Sequence, residues 1–168
     1  MHILAALILL TISSTAIAEE FKTAVFDIEL VDTSQAAELG LRNDQLQRLQ
    51  LVSDELRKLL QASPQIELVD ISPKREAIIQ KAPLNKCNGC AEDLAKDLGA
   101  NLVVSGIVQK TSDLILSFAV TIRDAHSGKI IRGGQADIRG NTDESWIRGI
   151  RWLVKNRLLV EPISETPL

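Results

Sequence analysis

The sequence predicts a mixed α/β domain built on a single five-stranded sheet, with its elements in the order β-α-β-α-β-β-β-α. In the first half of the chain, short apolar runs alternate with segments of helical periodicity, which favours parallel strands joined by right-handed crossovers. In the second half, three strand-like segments follow one another closely, which is typical of an antiparallel meander. One mixed sheet with the helices packed on it accounts for all the apolar faces.

The first strand is predicted over residues 23–31, because four apolar residues recur there at period two. These residues are Ala24, Phe26, Ile28 and Leu30. The first helix begins at Asn43, since apolar residues then recur at a spacing of three and four, and it ends at Ser63. A second short strand covers residues 66–71, and a short helical turn follows over residues 73–81.

Three consecutive strands are predicted in the second half. Residues 102–109 are almost continuously apolar, as expected for a strand covered on both faces. Residues 114–123 alternate between apolar and polar side chains, and residues 129–139 form the fifth strand after a hairpin loop. Two adjacent glycines, Gly133 and Gly134, predict a β-bulge in that last strand.

Two further helices are marked by their ends. One begins at Cys87 and ends at Gly99, a natural C-terminal stop. The last helix begins near Asn141 or Thr142, either of which can cap it, and it carries Trp146 on its apolar side. These two helices complete the predicted order of elements.

Residues 1–18 have the pattern of a cleavable secretory signal peptide. The apolar run over residues 3–12 is too short to span a bilayer of about 30 Å, and Ala-Ile-Ala at residues 16–18 is a cleavage signature. An uncleaved anchor helix is the alternative, and no cysteine follows the run to carry a lipid. We therefore expect a periplasmic protein with one domain over residues 19–160, a flexible tail over residues 161–168 and no membrane span after cleavage.

Composition argues against several classes of function. A formal net charge of -3 and 3% aromatic residues, with no tyrosine, disfavour nucleic-acid binding and a carbohydrate cleft lined by aromatic rings. After cleavage the chain keeps one histidine, His126, which lies in the predicted hairpin loop, so the sequence indicates no hydrolase constellation. We expect no enzymatic activity, no cofactor and no bound metal.

Cys87 and Cys90 are the two cysteines of the chain, and export places them in an oxidising compartment, where we expect a structural disulfide. A thiol–disulfide oxidoreductase is one alternative, because the pair starts a helix. Glu92 and Asp93 oppose thiolate formation, and the prolines that follow the pair lie in the tail. A metal site is the other alternative, although the chain offers few further soft ligands.

Asp27 and Glu29 stand two positions apart on the predicted first strand and are candidate binding residues. A buried carboxylate pair needs a cation, and Arg123, Arg132 or Arg139 on the meander could supply it. The pair therefore has two interpretations, a structural ion network or a ligand site.

The strand–helix turn over residues 139–146 is the candidate functional surface. It combines the end of a strand, a glycine that frees the backbone and a capped helix start with free amide groups. The candidate binding residues of this turn are Arg139, Asn141, Asp143, Glu144 and Trp146. The alternative is a well-capped helix whose tryptophan lies in the core.

Residues 101–109 and 122–129 carry an apolar strand with a glycine, followed by Asp-Ala-His-Ser-Gly-Lys before the next strand. This pattern resembles the amino-terminal domain of TolB, curli-secretion lipoproteins and penicillin-binding-protein activators. The resemblance covers residues 24–158 and implies a TolB-like mixed α/β domain that binds protein partners.

A closer resemblance rests on residues 25–34, the cysteine pair and residues 137–146. These segments resemble a family of secreted bacterial proteins of unknown function that are often encoded beside quinoprotein alcohol dehydrogenases. The resemblance implies a periplasmic accessory role in alcohol oxidation and supplies no catalytic residues.

Three functions remain after these observations. The first is a partner-binding periplasmic module, whose partner could belong to a quinoprotein dehydrogenase system. The second is a small-ligand or cofactor-handling protein, and the third is a thiol–disulfide redox protein. Convergence of Asp27, Glu29 and residues 139–146 into one polar pocket would favour a ligand, whereas a closed ion network would favour a partner.

Overall fold

The computed structural model describes residues 20–163. The expected signal peptide and residues 164–168 of the expected tail lie outside this range. Within it the chain forms six strands and four α-helices, together with shorter helical turns. None of these helices is long and apolar enough to cross a membrane.

The strands form one mixed sheet in the order β3-β1-β4-β5-β6, and β2 also pairs with β4. The bounds are β1 Phe21–Val25, β2 Glu29–Asp32, β3 Ile66–Leu68, β4 Leu102–Lys110, β5 Ile115–Asp124 and β6 Ile130–Arg139. The strands β1, β2 and β3 are parallel to their neighbours, whereas β4, β5 and β6 form an antiparallel meander. The mixed sheet is therefore confirmed, with six strands where the sequence predicts five.

The additional strand arises because the predicted first strand is interrupted. Val25 and Glu29 are four positions apart, whereas their partners on β4, Val104 and Ile107, are three apart. The Ile28 amide in the interruption donates to the Ser53 hydroxyl at 2.9 Å instead of to β4. The first strand thus contains a parallel bulge that splits it into β1 and β2.

The bulge also reverses the direction of the side chains that follow it, because each added residue moves a strand's side chains to the opposite face. Ala24 and Phe26 pack on one face of the sheet, and Ile28 and Leu30 pack on the other. The prediction that these four residues share a face was therefore wrong.

Four α-helices cover the sheet. Their bounds are α1 Asn43–Gln61, α2 Arg75–Lys81, α3 Cys90–Asp97 and α4 Asp143–Leu153, and a π-helical turn, Val154–Leu158, extends α4. Helix α3 starts three residues later than predicted, because Gly89 adopts a left-handed conformation with φ of 81° and forms the N-cap. The bulge in β6 also lies earlier than predicted, at Ile131, since Gly133 and Gly134 pair regularly with Thr121 and Val120.

The two faces of the sheet are covered unequally. Helices α1 and α4 cover one face, where the larger core includes Phe118 and Trp146 with their rings edge-on at 5.9 Å. On the other face, a smaller core of residues from α2, α3 and the start of β4 covers part of the sheet. Beyond this core, five side chains of β4 and β5 on the same face are half-exposed, and we call the surface that they form the open face. They are Ser105, Ile107, Ser117, Ala119 and Thr121.

The last described residues contact the domain. The Gln65 side chain accepts from the Ile163 amide at 2.8 Å and donates to the Ile163 carbonyl at 3.1 Å. Arg132 donates to the carbonyls of Glu161 and Pro162. The first three residues of the expected tail are thus held against β3 and β6.

Candidate functional site

The strand–helix turn over residues 139–146 is held by its own hydrogen bonds. Thr142 caps α4, because its hydroxyl accepts from the Ser145 amide at 3.2 Å and the Ser145 hydroxyl accepts from the Thr142 amide at 3.1 Å. Trp146 is fully buried, and its indole N–H donates to the Asn141 side-chain oxygen at 3.0 Å. Trp146 is thus a core residue with its one polar atom satisfied.

The other candidate residues of this turn differ in their contacts. Arg48 of α1 donates to Asp143 at 2.9 Å and to the Asn141 side-chain oxygen at 3.2 Å. Glu144 forms an i,i+4 ion pair with Arg148. Arg139 lies apart from these contacts and is exposed on β6. The segment acts as a junction between α1 and α4.

A buried lysine continues this junction into the sheet. The Lys110 ammonium lies 3.1 Å from Asp32 and 3.2 Å from Asp113, which also accepts from Asn141 at 3.1 Å. Hydrogen bonds from Lys110 and Asn141 lower the pKa of Asp113. Burial disfavours the charged form of Asp32, but hydrogen bonds from Ser34 and Lys110 outweigh it, so its pKa is also lowered.

Sequence reasoning missed this lysine. Lys110 follows a continuous apolar strand and precedes Thr-Ser-Asp, so it has the appearance of an exposed turn residue. Its burial depends on Asp32, which lies 78 positions earlier in the chain. No local pattern indicates that pairing.

Asp27 and Glu29 bind different groups, and neither binds the meander arginines that the sequence suggested. Arg57 of α1 donates to Asp27 and to the Val25 carbonyl. Glu29 accepts from the backbone amides of Leu84 and Asn85 at 2.6 and 2.8 Å. The carboxylate of Glu29 thereby holds the 3-10 turn Leu84–Lys86 against β2.

Two of the suggested arginines have other partners, and the third, Arg139, is exposed. Arg123 pairs with Glu92 of α3 at 2.9 Å, and Arg132 donates to carbonyls of the C-terminal segment. The reason is the order of the strands. Strands β1 and β2 pair with one edge of β4, whereas β5 and β6 lie beyond its other edge. Strand order therefore separates these arginines from Asp27 and Glu29.

Cys87 and Cys90 form a disulfide bond directly after the turn that Glu29 holds. The bond closes the segment Cys87–Cys90, whose Gly89 has a positive φ and caps α3. Both cysteines are half-buried. The disulfide and the Glu29 contacts together fix the shape of one continuous loop between α2 and α3.

This loop forms the wall of a groove over the open face, which we call the open-face groove. The groove has a volume of about 430 Å³. Its floor consists of residues of β4 and β5 that are small except for Ile107, and Arg123 and Glu92 also line it. Asp27, Glu29 and Cys87 line the groove together, whereas residues 139–146 do not. It is the candidate functional site.

Most of the charged groups around the groove already have partners. Glu29 and Glu92 are occupied by backbone amides and by Arg123, and no cluster of three metal-ligating side chains occurs within residues 20–163. The Arg123 Nε atom is buried and has no hydrogen-bond partner among these residues. His126 lies outside the groove, in the hairpin turn. There the Asp124 carboxylate accepts hydrogen bonds from the backbone amides of His126 and Ser127.

Comparisons with known proteins agree with the fold. The family model DUF3280, described as "Protein of unknown function (DUF2380)", matches residues 21–158. No curated protein matches the chain by sequence. The C-terminal domain of LpoB from Escherichia coli is similar in structure, with a TM-score of 0.52 and 16% identity over 75% of this chain and 87% of that chain.

Two further solved structures give the range of this similarity. The C-terminal domain of LpoB from Salmonella enterica has a TM-score of 0.52 and 13% identity, over 74% of this chain and 87% of that chain. TolB from Acinetobacter baumannii has a TM-score of 0.45 and 10% identity, over 89% of this chain and 31% of that chain. The LpoB domains share the mixed α/β fold that the sequence predicts.

Proposed function

The chain belongs to the DUF3280 family of proteins of unknown function, and from that premise we propose that it is an exported, non-catalytic module that binds a protein partner in the bacterial cell envelope. Its fold is that of the LpoB C-terminal domain. Residues 1–18 have the features of a signal peptide. Export would place the domain in the periplasm, where the Cys87–Cys90 disulfide is stable.

The open-face groove is the observation that carries this proposal. Most side chains of its floor on β4 and β5 are small, so a partner's side chains can approach the sheet closely. Its wall is a loop held rigid by the disulfide and by Glu29. A preformed surface of this kind binds without the entropic cost of ordering a loop.

The contacts that the candidate binding residues make within the chain also support a protein partner. The turn over residues 139–146 forms a closed network with Arg48, and Asp27 forms an ion pair with Arg57. These residues do not converge into one polar pocket. That arrangement is the one expected of a structural frame around a binding surface, rather than of a ligand site.

We assign the partner to a periplasmic quinoprotein alcohol oxidation system. The support is the resemblance of residues 25–34, the cysteine pair and residues 137–146 to secreted proteins encoded beside quinoprotein alcohol dehydrogenases. The assignment is separate from the proposal of a binding module, and the two are tested separately.

The test is a Thr121→Arg substitution, which places a long cation on the floor of the groove. We expect the wild-type protein to bind the purified quinoprotein alcohol dehydrogenase of its own organism in biolayer interferometry, and the variant to lose that binding. Arg75→Glu, an exposed substitution on α2, is the control and should bind as the wild type does. Equal binding by Thr121→Arg and the wild type would refute the proposal that the open-face groove is the binding site.

A different outcome separates the two assignments. If the wild-type protein does not bind the dehydrogenase, the quinoprotein link is wrong. The binding-module proposal then depends on whether another purified envelope protein binds the wild type and is lost with Thr121→Arg. Unchanged unfolding midpoints for both variants show that the fold is intact.

A small anionic ligand is the second candidate function. The observation in its favour is the Arg123 Nε donor, which is buried beside the groove without an acceptor. Carboxylates such as acetate and succinate are suitable probes, because a carboxylate accepts two guanidinium hydrogen bonds. Saturable stabilisation by succinate that is lost in Arg123→Gln would favour this candidate over a protein partner.

A further inference from the structure

The strand β6 has one unpaired edge. It is the last strand of the sheet and pairs with β5 alone. Among residues 20–163, no other segment hydrogen-bonds to the backbone of Gln135–Arg139 on the outer side. A strand of ten residues presents backbone donors and acceptors over roughly 34 Å. Long open edges of this kind are normally shortened, charged or covered.

A groove runs beside this edge, and helix α4 with its π-helical extension forms its opposite wall. One part, of about 440 Å³, lies between Gln135–Arg139 and the helix residues Arg148, Gly149 and Trp152. A second part, of about 450 Å³, continues along the start of β6 beside Asn156 and Val160. We call the two parts together the β6 edge groove.

The edge groove exposes apolar side chains. Trp152 is 46% exposed, although it is one of two tryptophans in the chain and the other is fully buried. Ile130 is 54% exposed and Val160 is 59% exposed at the far end of the groove. Arg157 lies over the Trp152 ring, with its guanidinium carbon 5.6 Å from the ring centroid. Apolar surface therefore follows an unpaired strand edge.

The charges around the edge groove are mainly positive. Arg139 and Arg148 lie at one end and Arg157 lies in the middle, against the carboxylates of Asp137 and Glu161. Arg132 lines the far end of the groove, whereas Arg148 also pairs with Glu144 of its own helix. The chain as a whole has a formal net charge of -3, so this surface differs in sign from the rest.

This charge pattern distinguishes a foreign partner from a second copy. Antiparallel pairing of two β6 strands around a two-fold axis at Gln135 would bring Arg139 of one copy near the start of β6 in the other. Arg132 and Arg157 line the groove there beside a single carboxylate, Glu161, so positive charges would outnumber negative ones where the two copies meet. An acidic segment would instead complement them.

From the unpaired edge, the flanking groove and its charge, we propose that β6 binds an extended acidic segment of a partner protein as an added strand. Backbone hydrogen bonds to β6 supply the affinity, and alternate side chains of the segment contact Trp152 and the arginines. This surface lies beside α4 and is separate from the open-face groove, so the inference goes beyond the proposed function.

The experiment uses a fluorescein-labelled peptide that alternates glutamate and valine, with binding measured by fluorescence anisotropy. An alternating lysine and valine peptide should bind at least about tenfold more weakly. Two further peptides carry N-methyl groups on all glutamates or on all valines. Successive amides of a strand point to opposite edges, so one of these peptides should lose binding and the other should keep it.

Variants locate the site. We expect Trp152→Ala and Arg148→Glu each to weaken binding by at least about tenfold, while the control Arg75→Glu leaves it unchanged. Far-ultraviolet circular dichroism checks the fold of each variant, and both substituted side chains are partly or largely exposed. The proposal is overturned if the acidic peptide does not bind saturably, if both methylated peptides behave alike, or if Trp152→Ala binds as the wild type does.

Discussion

The two faces of the sheet differ in how completely they are covered. On the closed face, α1 and α4 bury a continuous core that extends from Phe21 to Ile163. On the open face, α2 and α3 cover the start of β4 and leave the meander to a groove with a floor of small side chains. Most of the apolar burial that stabilises the domain therefore lies on the closed face, and the open face contributes less to it.

The polar groups on the two sides differ in the same way. Around the closed face, charged groups form a network that connects α1, β4 and α4 through Arg48, Lys110 and Asn141. Beside the open face, Glu29 and the disulfide fix a loop and leave the groove accessible. Substitutions on the two faces should therefore change the free energy of unfolding by different amounts, with the largest losses on the closed face.

The largest effect is expected at the centre of the closed face. Trp146→Ala should lower the free energy of unfolding by about 3–5 kcal/mol, because it removes a fully buried ring that contacts Phe118. Trp152→Ala is the matched control and should cost less than about 1 kcal/mol. Urea unfolding followed by circular dichroism measures both, and similar losses would contradict the comparison.

The next effect concerns the buried ion network. Lys110→Ala should lower the free energy of unfolding by about 3 kcal/mol, since it leaves Asp32 without its cation. Lys74→Ala removes the exposed ion pair with Asp97 and should cost less than about 1 kcal/mol. Equal costs in urea unfolding would show that Lys110 is not an essential part of the closed side.

The same network predicts acid sensitivity. The pKa values of Asp32 and Asp113 are lowered in the folded state, so their stabilisation is fully present above the unfolded value of about 3.9. It is lost as the pH falls from about 4 through the lower folded pKa values. Unfolding midpoints measured down to about pH 2 should fall more steeply for the wild type than for Lys110→Ala.

The disulfide should contribute less to overall stability than to local shape. Cys87→Ser combined with Cys90→Ser should cost at most about 2 kcal/mol, because the closed loop is short. Amide exchange at Leu84 and Asn85 should accelerate, since the loop that presents them to Glu29 is freed. Slow exchange at both amides in the variant would show that Glu29 alone fixes the loop.

The smallest effect is expected on the open face itself. Thr121→Ala should change the free energy of unfolding by less than about 0.5 kcal/mol. Val120→Ala, one residue earlier on β5, should cost about 2 kcal/mol because Val120 is buried on the closed face. Neighbouring positions on one strand thus test the two faces directly, and a reversed order would contradict the assignment of faces.

The parts of the fold that sequence predicts are those set by local patterns. The alternation in β5 and the helical periodicity of α1 and α4 come from residues within one element, and all three elements are present. The bulge between β1 and β2 depends on Ser53, a residue of α1 whose hydroxyl accepts a hydrogen bond from the Ile28 amide. A contact between elements leaves no periodic signal, so the first strand appeared continuous.

The candidate site follows the same rule. The sequence identified Cys87, Asp27 and Glu29, which line the open-face groove, because cysteines and paired carboxylates are conspicuous in any strand or loop. It did not identify Ser105, Ala119 or Thr121, since small residues in strands attract no chemical interpretation. Their importance depends on which face the helices leave uncovered, and that is decided by packing.

The position of β1 in the sheet has a consequence for the time course of folding. Its partner β4 lies 79 positions later in the chain, whereas β4, β5 and β6 are joined by short turns. Contacts between distant residues form slowly, because a long loop must close first. Its other partner, β3, also lies 45 positions later in the chain. In pulsed hydrogen exchange we therefore expect the amides of the meander to become protected before those of Phe21–Val25.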